Sequence, residues 1–160
     1  MNDINIKIKF SNGAEELYAA AGGIGPEAAT SGSAGFDLRV NYIGDGEEVC
    51  SILPGGRAAV HSGISVEPSR SDVAGFVYSR SGLGAVQGLT VAQGVGLIDP
   101  DYRGEIVVFL LNTSGETKTV KRGDRVAQLV FQPFYRAVFE KAEELGSTGR
   151  GAGGFGHTGK

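Results

Sequence analysis

The residues best suited to chemistry lie in the stretch Gly94–Glu105, which holds Asp99, Tyr102 and three further charged side chains. Apolar, strand-like sequence leads into this stretch and out of it, so the charged turn should be held between two buried elements. Loops held in this way commonly carry function. The same residues also fit an ordinary solvated turn between two strands, and the remainder of the chain has to separate these readings.

A second candidate is Arg80-Ser81-Gly82. The sequence predicts a short helix here, with Ser79 as its N-cap and Gly88 as its stop. Free backbone N–H groups at a helix start attract anions, and an arginine adds bidentate contacts. A solvated helix cap is the simpler alternative.

Two more stretches combine arginines with glycines. In Arg122–Gln128, the simpler alternative is that Asp124 only pairs with either neighbouring arginine at the surface. Arg150–Lys160 matches G-x-G-x-x-G and most of a P-loop, but no strand-then-helix context surrounds it, so neither nucleotide-binding fold is supported. Its glycine amides could still bend round phosphate oxygens, or the segment could be a disordered tail.

Other chemistries find little support. The sequence has no G-x-S-x-G motif for a nucleophilic serine, and the single Cys50 excludes an internal disulfide and a cysteine-rich metal site. Carboxylates, arginines and glycine-rich amides remain. They suit polyphosphate chemistry in which Mg²⁺ arrives mostly on the substrate.

Composition limits the possible partners. A chain of 160 residues suits one domain, and the net charge of −3 leaves no broad basic stripe for nucleic acid. We recognise neither a signal peptide nor a membrane anchor. We therefore expect a cytoplasmic protein with no nucleic-acid and no membrane partner.

The elements that must position these residues are short strands. Alternation predicts strands at Ile4–Phe10 and Phe36–Tyr42, and residues 14–35 read as a loop. Ile106–Leu111 is apolar without alternation, so both of its faces should be covered, by sandwich core or by a subunit contact. Further short strands are predicted at Val49–Leu53, Ala58–Val60, Ile64–Val66, Gly75–Tyr78, around Val120, at Val126–Phe131 and at Ala137–Phe139. This spacing is typical of a sandwich or barrel.

Five stretches, taken in order, resemble the motifs of the trimeric deoxyuridine triphosphate nucleotidohydrolases, the dUTPases. They are Ala34–Leu38, Ser79–Leu83, Gly96–Gly104, Arg122–Gln128 and Arg150–Gly156. Each is weak alone, but five in sequence form a specific signal. The resemblance implies an all-β, jelly-roll-like sandwich or barrel with one short helix, assembled as a homotrimer. Residues 1–145 would form the β domain, and residues 146–160 a flexible glycine-rich arm that closes over a neighbour's active site.

The resemblance also implies roles for individual residues. Asp99 would activate the water that attacks the α-phosphorus of dUTP, with Arg80 beside the phosphates, and Tyr102 would lie against the deoxyribose and exclude a 2′-hydroxyl. Asp37 would lie near Mg²⁺, through water, or near the arginines of the fourth motif. Uracil would be read in a hairpin from Leu89 to Ile98 by Gln93, Gly94, Val95, Gly96 and Ile98. Phosphates and base would be closed in by Ser81, Gly82, Gln128, Arg150, Phe155, Gly156 and Thr158.

Two other functions stay open at this point. A dCTP deaminase shares the fold implied here but needs a further carboxylate at the base, and no obvious glutamate lies in the predicted hairpin. A regulatory module that binds a partner under nucleotide control is the second alternative.

Overall fold

The computed structural model describes residues 3–19 and 24–154, and within them the chain is built from twelve strands, one α-helical turn and one π-helical turn. In chain order these are β1 (Ile6–Phe10), α1 (Glu15–Ala19), β2 (Phe36–Arg39), β3 (Tyr42–Ile43), β4 (Val49–Ile52), β5 (Arg57–His61), β6 (Ile64–Pro68), β7 (Val73–Ser79), the π-helical turn (Gly82–Val86), β8 (Leu89–Val91), β9 (Gly96–Ile98), β10 (Val107–Asn112), β11 (Lys118–Lys121) and β12 (Arg125–Pro133).

Two four-stranded antiparallel sheets dominate the fold. One has the order β2-β12-β7-β9 and the other β3-β5-β10-β8, while β1-β6 and β4-β11 form two-stranded ribbons. One apolar core contains Leu38 and Leu129 from the first sheet together with Val60 and Leu110 from the second, so the two sheets pack face to face. The predicted all-β class is confirmed.

The strand predicted at Ile106–Leu111 is present as β10, and in the single chain the sandwich core covers only one of its two faces. Val108, Leu110 and Asn112 point into the core, whereas Phe109 on the opposite face is 48% exposed. The buried face packs in the core of the sandwich. The opposite face is apolar without a cover from its own chain, which is the property expected of a subunit contact.

Residues 14–35 were predicted to be a loop, and the structure corrects this with α1. Five residues are too few for a helix to be stable by itself, so tertiary contacts must hold it. Tyr18 provides them: its ring is 2% exposed, its hydroxyl donates to Ser62 O over 3.0 Å, and it accepts from Arg39 N over 3.1 Å. The fold therefore has two short helical segments, not one.

Three local predictions were also wrong. Phe36–Tyr42 is not one strand, because the ladder breaks after Arg39 and Val40 pairs instead with the turn before β12. Ser79 does not cap the helix; its hydroxyl accepts from Val91 N over 2.8 Å, and Ser81 stands at the N-cap without a side-chain cap bond. Ala137–Phe139 forms no strand.

Past Pro133 the described chain carries no helix or strand as far as Gly154, and its side chains are largely exposed. Phe134 N still donates to Asp72 O over 3.0 Å, which is where the segment leaves the sandwich. None of the helices found in residues 3–19 and 24–154 has the length and apolar character needed to cross a bilayer.

Candidate active site

Asp37 holds two arginines at one edge of the first sheet. It lies on β2 opposite Gln128 of β12, which in turn lies opposite Tyr78 near the end of β7. This register brings the Asp37 carboxylate to the arginine that follows β7 and to the first residue of β12. Oδ1 pairs with Arg80 Nε at 2.8 Å, and Oδ2 pairs with Arg125 Nη1 at 3.0 Å.

The pairing leaves the local charge positive, since one carboxylate faces two guanidinium groups. Arg80 also donates from Nη1 to Arg125 O over 3.1 Å, and this bond fixes the orientation of the Arg80 guanidinium plane. The Asp37 side chain is 14% exposed, so water screens these contacts only partly. A local cationic site of this kind can attract a polyphosphate even though the whole chain carries a charge of −3.

The cleft beside this cluster measures about 320 Å³ and is lined by Gly35, Asp37, Arg80, Ser81, Gly82 and Gln128, among others. Gln128 donates from Nε2 to Ser79 O over 3.1 Å, so its amide is fixed. A Cβ at Gly35 would lie 2.6 Å from Gln128 Oε1, so any larger residue there would displace this amide. All the predicted phosphate-binding residues of the second and fourth motifs meet in this cleft.

A second cleft, of about 230 Å³, lies over β9 and the turn that follows it. Its lining includes Gln93, Gly96, Ile98, Asp99 and Tyr102. Five of the predicted base, sugar and catalytic residues therefore share one cavity. Gly94 and Val95 are exposed in the loop before β9 and do not line it.

The predicted hairpin from Leu89 to Ile98 is wrong in its pairing. β8 pairs with β10 and β9 pairs with β7, so the stretch crosses from one sheet to the other. Gly94, at φ +83°, makes the turn between them. Gly96 serves packing inside the chain, because a Cβ there would lie 3.1 Å from Val77 Cβ on the neighbouring strand.

Tyr102 is held by the backbone of its own turn. Its hydroxyl donates to Glu105 O over 3.0 Å, and a Cβ at Gly104 would collide with the tyrosine ring. The ring remains 45% exposed, facing the cleft that also holds Asp99. The Tyr-x-Gly spacing thus lets an aromatic ring fold flat over the turn.

Among the residues that the structure describes, no group of three or more histidine, cysteine, aspartate or glutamate side chains is placed to hold a metal ion. Both oxygens of Asp37 are paired with arginines, which leaves that carboxylate few free acceptor positions for an ion. This donor set fits a metal carried mainly by the phosphates of a substrate, and it does not fit a cage made by the protein.

The remaining predicted site residues are not brought to either cleft. Arg150 is exposed and donates from Nε to Gly153 O over 2.9 Å, and Phe155, Gly156 and Thr158 lie outside the described residues. Sequence reasoning gave Arg125 no site role of its own, although the resemblance put Asp37 near the arginines of the fourth motif, and it missed Glu105, which lines the second cleft. Asp124, the other partner considered for Arg125, accepts instead from Lys121 N over 2.9 Å.

Comparisons with known proteins agree with this geometry. A family model described as dUTPase matches residues 23–159. The deoxyuridine 5′-triphosphate nucleotidohydrolase of Desulfitobacterium hafniense is 42% identical, covering 99% of both chains, and that of Acinetobacter baumannii is 44% identical over 84% of this chain and 87% of its own.

Solved structures give the same fold. The dUTPase of Staphylococcus bacteriophage 80alpha with dUPNHPP is similar with a TM-score of 0.76 at 22% identity, covering 98% of this chain and 99% of that one. The dUTPase of Streptococcus mutans is similar with a TM-score of 0.65 at 24% identity, covering 84% and 98%. The matched family model and the relatives above 40% identity establish that this chain belongs to the dUTPase family.

Proposed function

We propose that this dUTP diphosphatase hydrolyses its substrate by in-line attack of an Asp99-activated water on the α-phosphorus, which releases dUMP and pyrophosphate. The observation that supports the mechanism is that two clefts are lined by different functional groups. One is lined by Asp99 and Tyr102, and the other by Arg80 and Asp37, whose carboxylate also pairs with Arg125.

Asp99 is assigned as the base from its position in the fold. It directly follows β9, it is exposed, and it lines the cleft whose other walls are Gln93, Gly96 and Tyr102. A general base needs access to a water and a fixed distance from the reacting atom. The short, paired strand before Asp99 supplies the second requirement.

Tyr102 selects the sugar. The bond to Glu105 O fixes the hydroxyl end of its ring, and glycine at position 104 leaves room for that end against the backbone. A ring held flat against the deoxyribose leaves no room for a 2′-hydroxyl. UTP would therefore bind poorly.

Arg80, Ser81, Gly82 and Gln128 bind the phosphates, with Arg150 and the residues after Gly154 closing over them. The pairing of Arg80 with Asp37 keeps its guanidinium in place before substrate arrives, which lowers the cost of organising the site. Members of the family use a divalent metal. We propose Mg²⁺, bound mainly to the phosphate oxygens and near Asp37 through water, where it would neutralise developing charge.

A homotrimer would complete the site. The two clefts share no lining residue among those described. In a trimer, the sugar-facing cleft of one subunit would lie against the phosphate-facing cleft of another. Phe109 offers an uncovered apolar contact on β10, and the segment after β12 exposes Tyr135, Val138, Phe139 and Leu145. An extended segment with this many exposed apolar side chains fits contact with a neighbouring chain.

Neither alternative function gains from the structure. A deaminase would need a carboxylate at the base amino group, and the relatives at 42% identity and above bear the nucleotidohydrolase name. A regulatory role has no specific observation in its favour.

A substrate panel tests the proposal. Pyrophosphate release is measured with Mg²⁺ from dUTP, UTP, dCTP and dTTP. We expect rapid release from dUTP alone, because the ring of Tyr102 excludes the ribose and the cleft excludes the other bases. Comparable turnover of UTP would contradict the sugar gate, and absence of dUTP turnover would contradict the proposed function.

A further inference from the structure

Glu105 lies at the centre of a cluster that none of the proposed catalytic steps uses. Its Oε2 is 3.0 Å from His61 Nδ1 and accepts from the Tyr42 hydroxyl over 3.3 Å, while its Oε1 accepts from Gly63 N over 2.6 Å. A carboxylate accepts only, so His61 Nδ1 carries the proton in this contact. The Glu105 side chain is 19% exposed, and its partners come from β3, β5 and the turn after β5.

The partners of Glu105 are themselves fixed. The Tyr42 and His61 rings stack at 4.1 Å with an angle of 11° between their planes. Gly63 has φ +72° and no space for a Cβ, which would collide with Ala14. Burial, and then the carboxylate of Glu105, raise the pKa of Tyr42, so its hydroxyl keeps the proton that it donates.

The backbone of Glu105 is what holds Tyr102. The Tyr102 hydroxyl donates to Glu105 O, and three hydrogen bonds hold the next residue, Ile106, to the turn after β5. Ile106 N donates to Ile64 O over 2.9 Å, and Ile106 O accepts from the Ser62 hydroxyl over 2.6 Å and from Ser62 N over 3.2 Å. The peptide group between Glu105 and Ile106 is therefore held from both directions, by the side chain of Glu105 and by the backbone of Ile106. The position of the Tyr102 acceptor therefore depends on the turn after β5.

We infer that Glu105 is a positioning residue for Tyr102. Through its contacts with Tyr42, His61 and Gly63, Glu105 holds the backbone carbonyl to which the sugar-selecting ring of Tyr102 is bonded. This inference rests on the proposed function, because it concerns the same sugar gate. Glu105 lines the same cleft as Tyr102, but both of its carboxylate oxygens are engaged by protein groups, so it acts here through the ring. Its loss would loosen the ring without removing the base at Asp99.

The test compares dUTP and UTP turnover in the full-length assembled enzyme. Glu105→Ala should lower the ratio of kcat/KM for dUTP to that for UTP by about tenfold, equivalent to about 1.4 kcal/mol of discrimination. KM for dUTP should rise more than kcat falls, since Asp99 is unaltered. Glu105→Gln keeps an acceptor for Gly63 N, so its ratio should lie between those of the wild type and Glu105→Ala.

Glu67→Ala is the matched control. Glu67 pairs with Arg103 of the same turn at 3.5 Å and with Lys7 at 3.0 Å, but it has no bond to Tyr102 or its acceptor. This variant should keep the wild-type ratio. A loss of discrimination equal to that of Glu105→Ala would show that any change in the turn suffices, and would overturn the inference.

Tyr42→Phe keeps the test decisive if Glu105→Ala does not fold. It deletes one donor to Oε2 while the ring can still stack on His61, and the ratio should fall by about two- to threefold. Unchanged ratios in both Tyr42→Phe and Glu105→Gln would overturn the inference. A wild-type enzyme that leaves dUTP intact would instead refute the proposed function, so the two failures are distinguishable.

Discussion

At the scale of single residues, the two carboxylates of the proposed site differ in their surroundings. Asp37 is largely buried and has both oxygens committed to arginines, whereas Asp99 is exposed on the wall of a cleft and forms no ion pair among the described residues. The donors on both Asp37 oxygens leave few acceptor positions there for a water, whereas Asp99 is accessible from the cleft. This contrast supports the proposal that Asp99 is the base and that Asp37 holds Arg80.

Replacing Asp99 tests this assignment. Asp99→Asn keeps the shape of the side chain but removes the proton acceptor, so kcat for dUTP should fall by about 100- to 10,000-fold. Binding of a non-hydrolysable dUTP analogue, measured by calorimetry, should change little. Full activity of Asp99→Asn would remove this residue from its role.

Asp101→Asn provides the control for that experiment. It removes an exposed carboxylate from the same turn, but Asp101 does not line the cleft with Tyr102. Its kcat should stay within about twofold of the wild-type value.

At the scale of elements, the sequence predicted the strands better than their partners. Alternation located β1 and β2, and short apolar runs bounded by turns located β5, β6, β7 and β12. Prediction failed at β8 and β9, since two short strands either side of a glycine turn resemble a hairpin until the sheets to which they pair are known. Register between distant strands, which joins Asp37 to Arg80 and Arg125, has no local signal.

The same limit explains why α1 was not predicted. Its sequence is short and lies in a stretch rich in alanine and glycine, so its stability comes from contacts of Tyr18 with residues far along the chain. Local propensity carries no information about such contacts. The motifs, by contrast, were located from sequence because their chemistry depends on residue type within a few positions.

The hydroxyl of Tyr18 should be measurable as a stabilising group. Tyr18→Phe leaves Ser62 O and Arg39 N without this partner, which should lower the free energy of unfolding by about 1–3 kcal/mol. The measurement is urea unfolding at neutral pH. Tyr135→Phe, at a fully exposed ring, should change the free energy of unfolding by less than about 0.5 kcal/mol.

Tyr18 should also contribute to alkaline unfolding. Burial raises its pKa to about 12 from the ordinary value of 10.0. Below pH 10 the hydroxyl is protonated in both states; as pH rises towards 12 the unfolded chain loses this proton first, so stability falls. The difference in unfolding free energy between wild type and Tyr18→Phe should shrink over this range by up to about 3 kcal/mol. A constant difference would contradict the assignment.

At the scale of the whole molecule, three features of the single chain fit a site shared between subunits. The sugar-facing cleft and the phosphate-facing cleft are lined by different residues, Phe109 is uncovered, and the described part of the final segment lies exposed beyond β12. Closed rotational symmetry allows such parts to meet, because each subunit then gives one part to a neighbour and receives another. A homotrimer with shared sites would use all three features.

Mixed assemblies test whether sites are shared. Asp99→Asn chains keep the final segment but lack the base, and chains truncated after Gly149 keep the base but lack Arg150 and the residues beyond it. Each variant alone should be nearly inactive. When the two are co-expressed in equal amounts, a site that takes Asp99 from one chain and the final segment from another is complete with a probability of one half times one half, so about a quarter of wild-type kcat should return.

The control for this recovery is a mixture of the two variants assembled separately, which should stay inactive because no single assembly then contains both parts. Size-exclusion chromatography should give the same trimeric mass for both variants, since neither change touches β10 and the exposed ring of Phe109. If each chain closed its own site, every site in the co-expressed assembly would lack either the base or the final segment. Activity would then remain at the level of the single variants, and the proposal of sites shared between subunits would be wrong even if dUTP hydrolysis by the wild type were rapid.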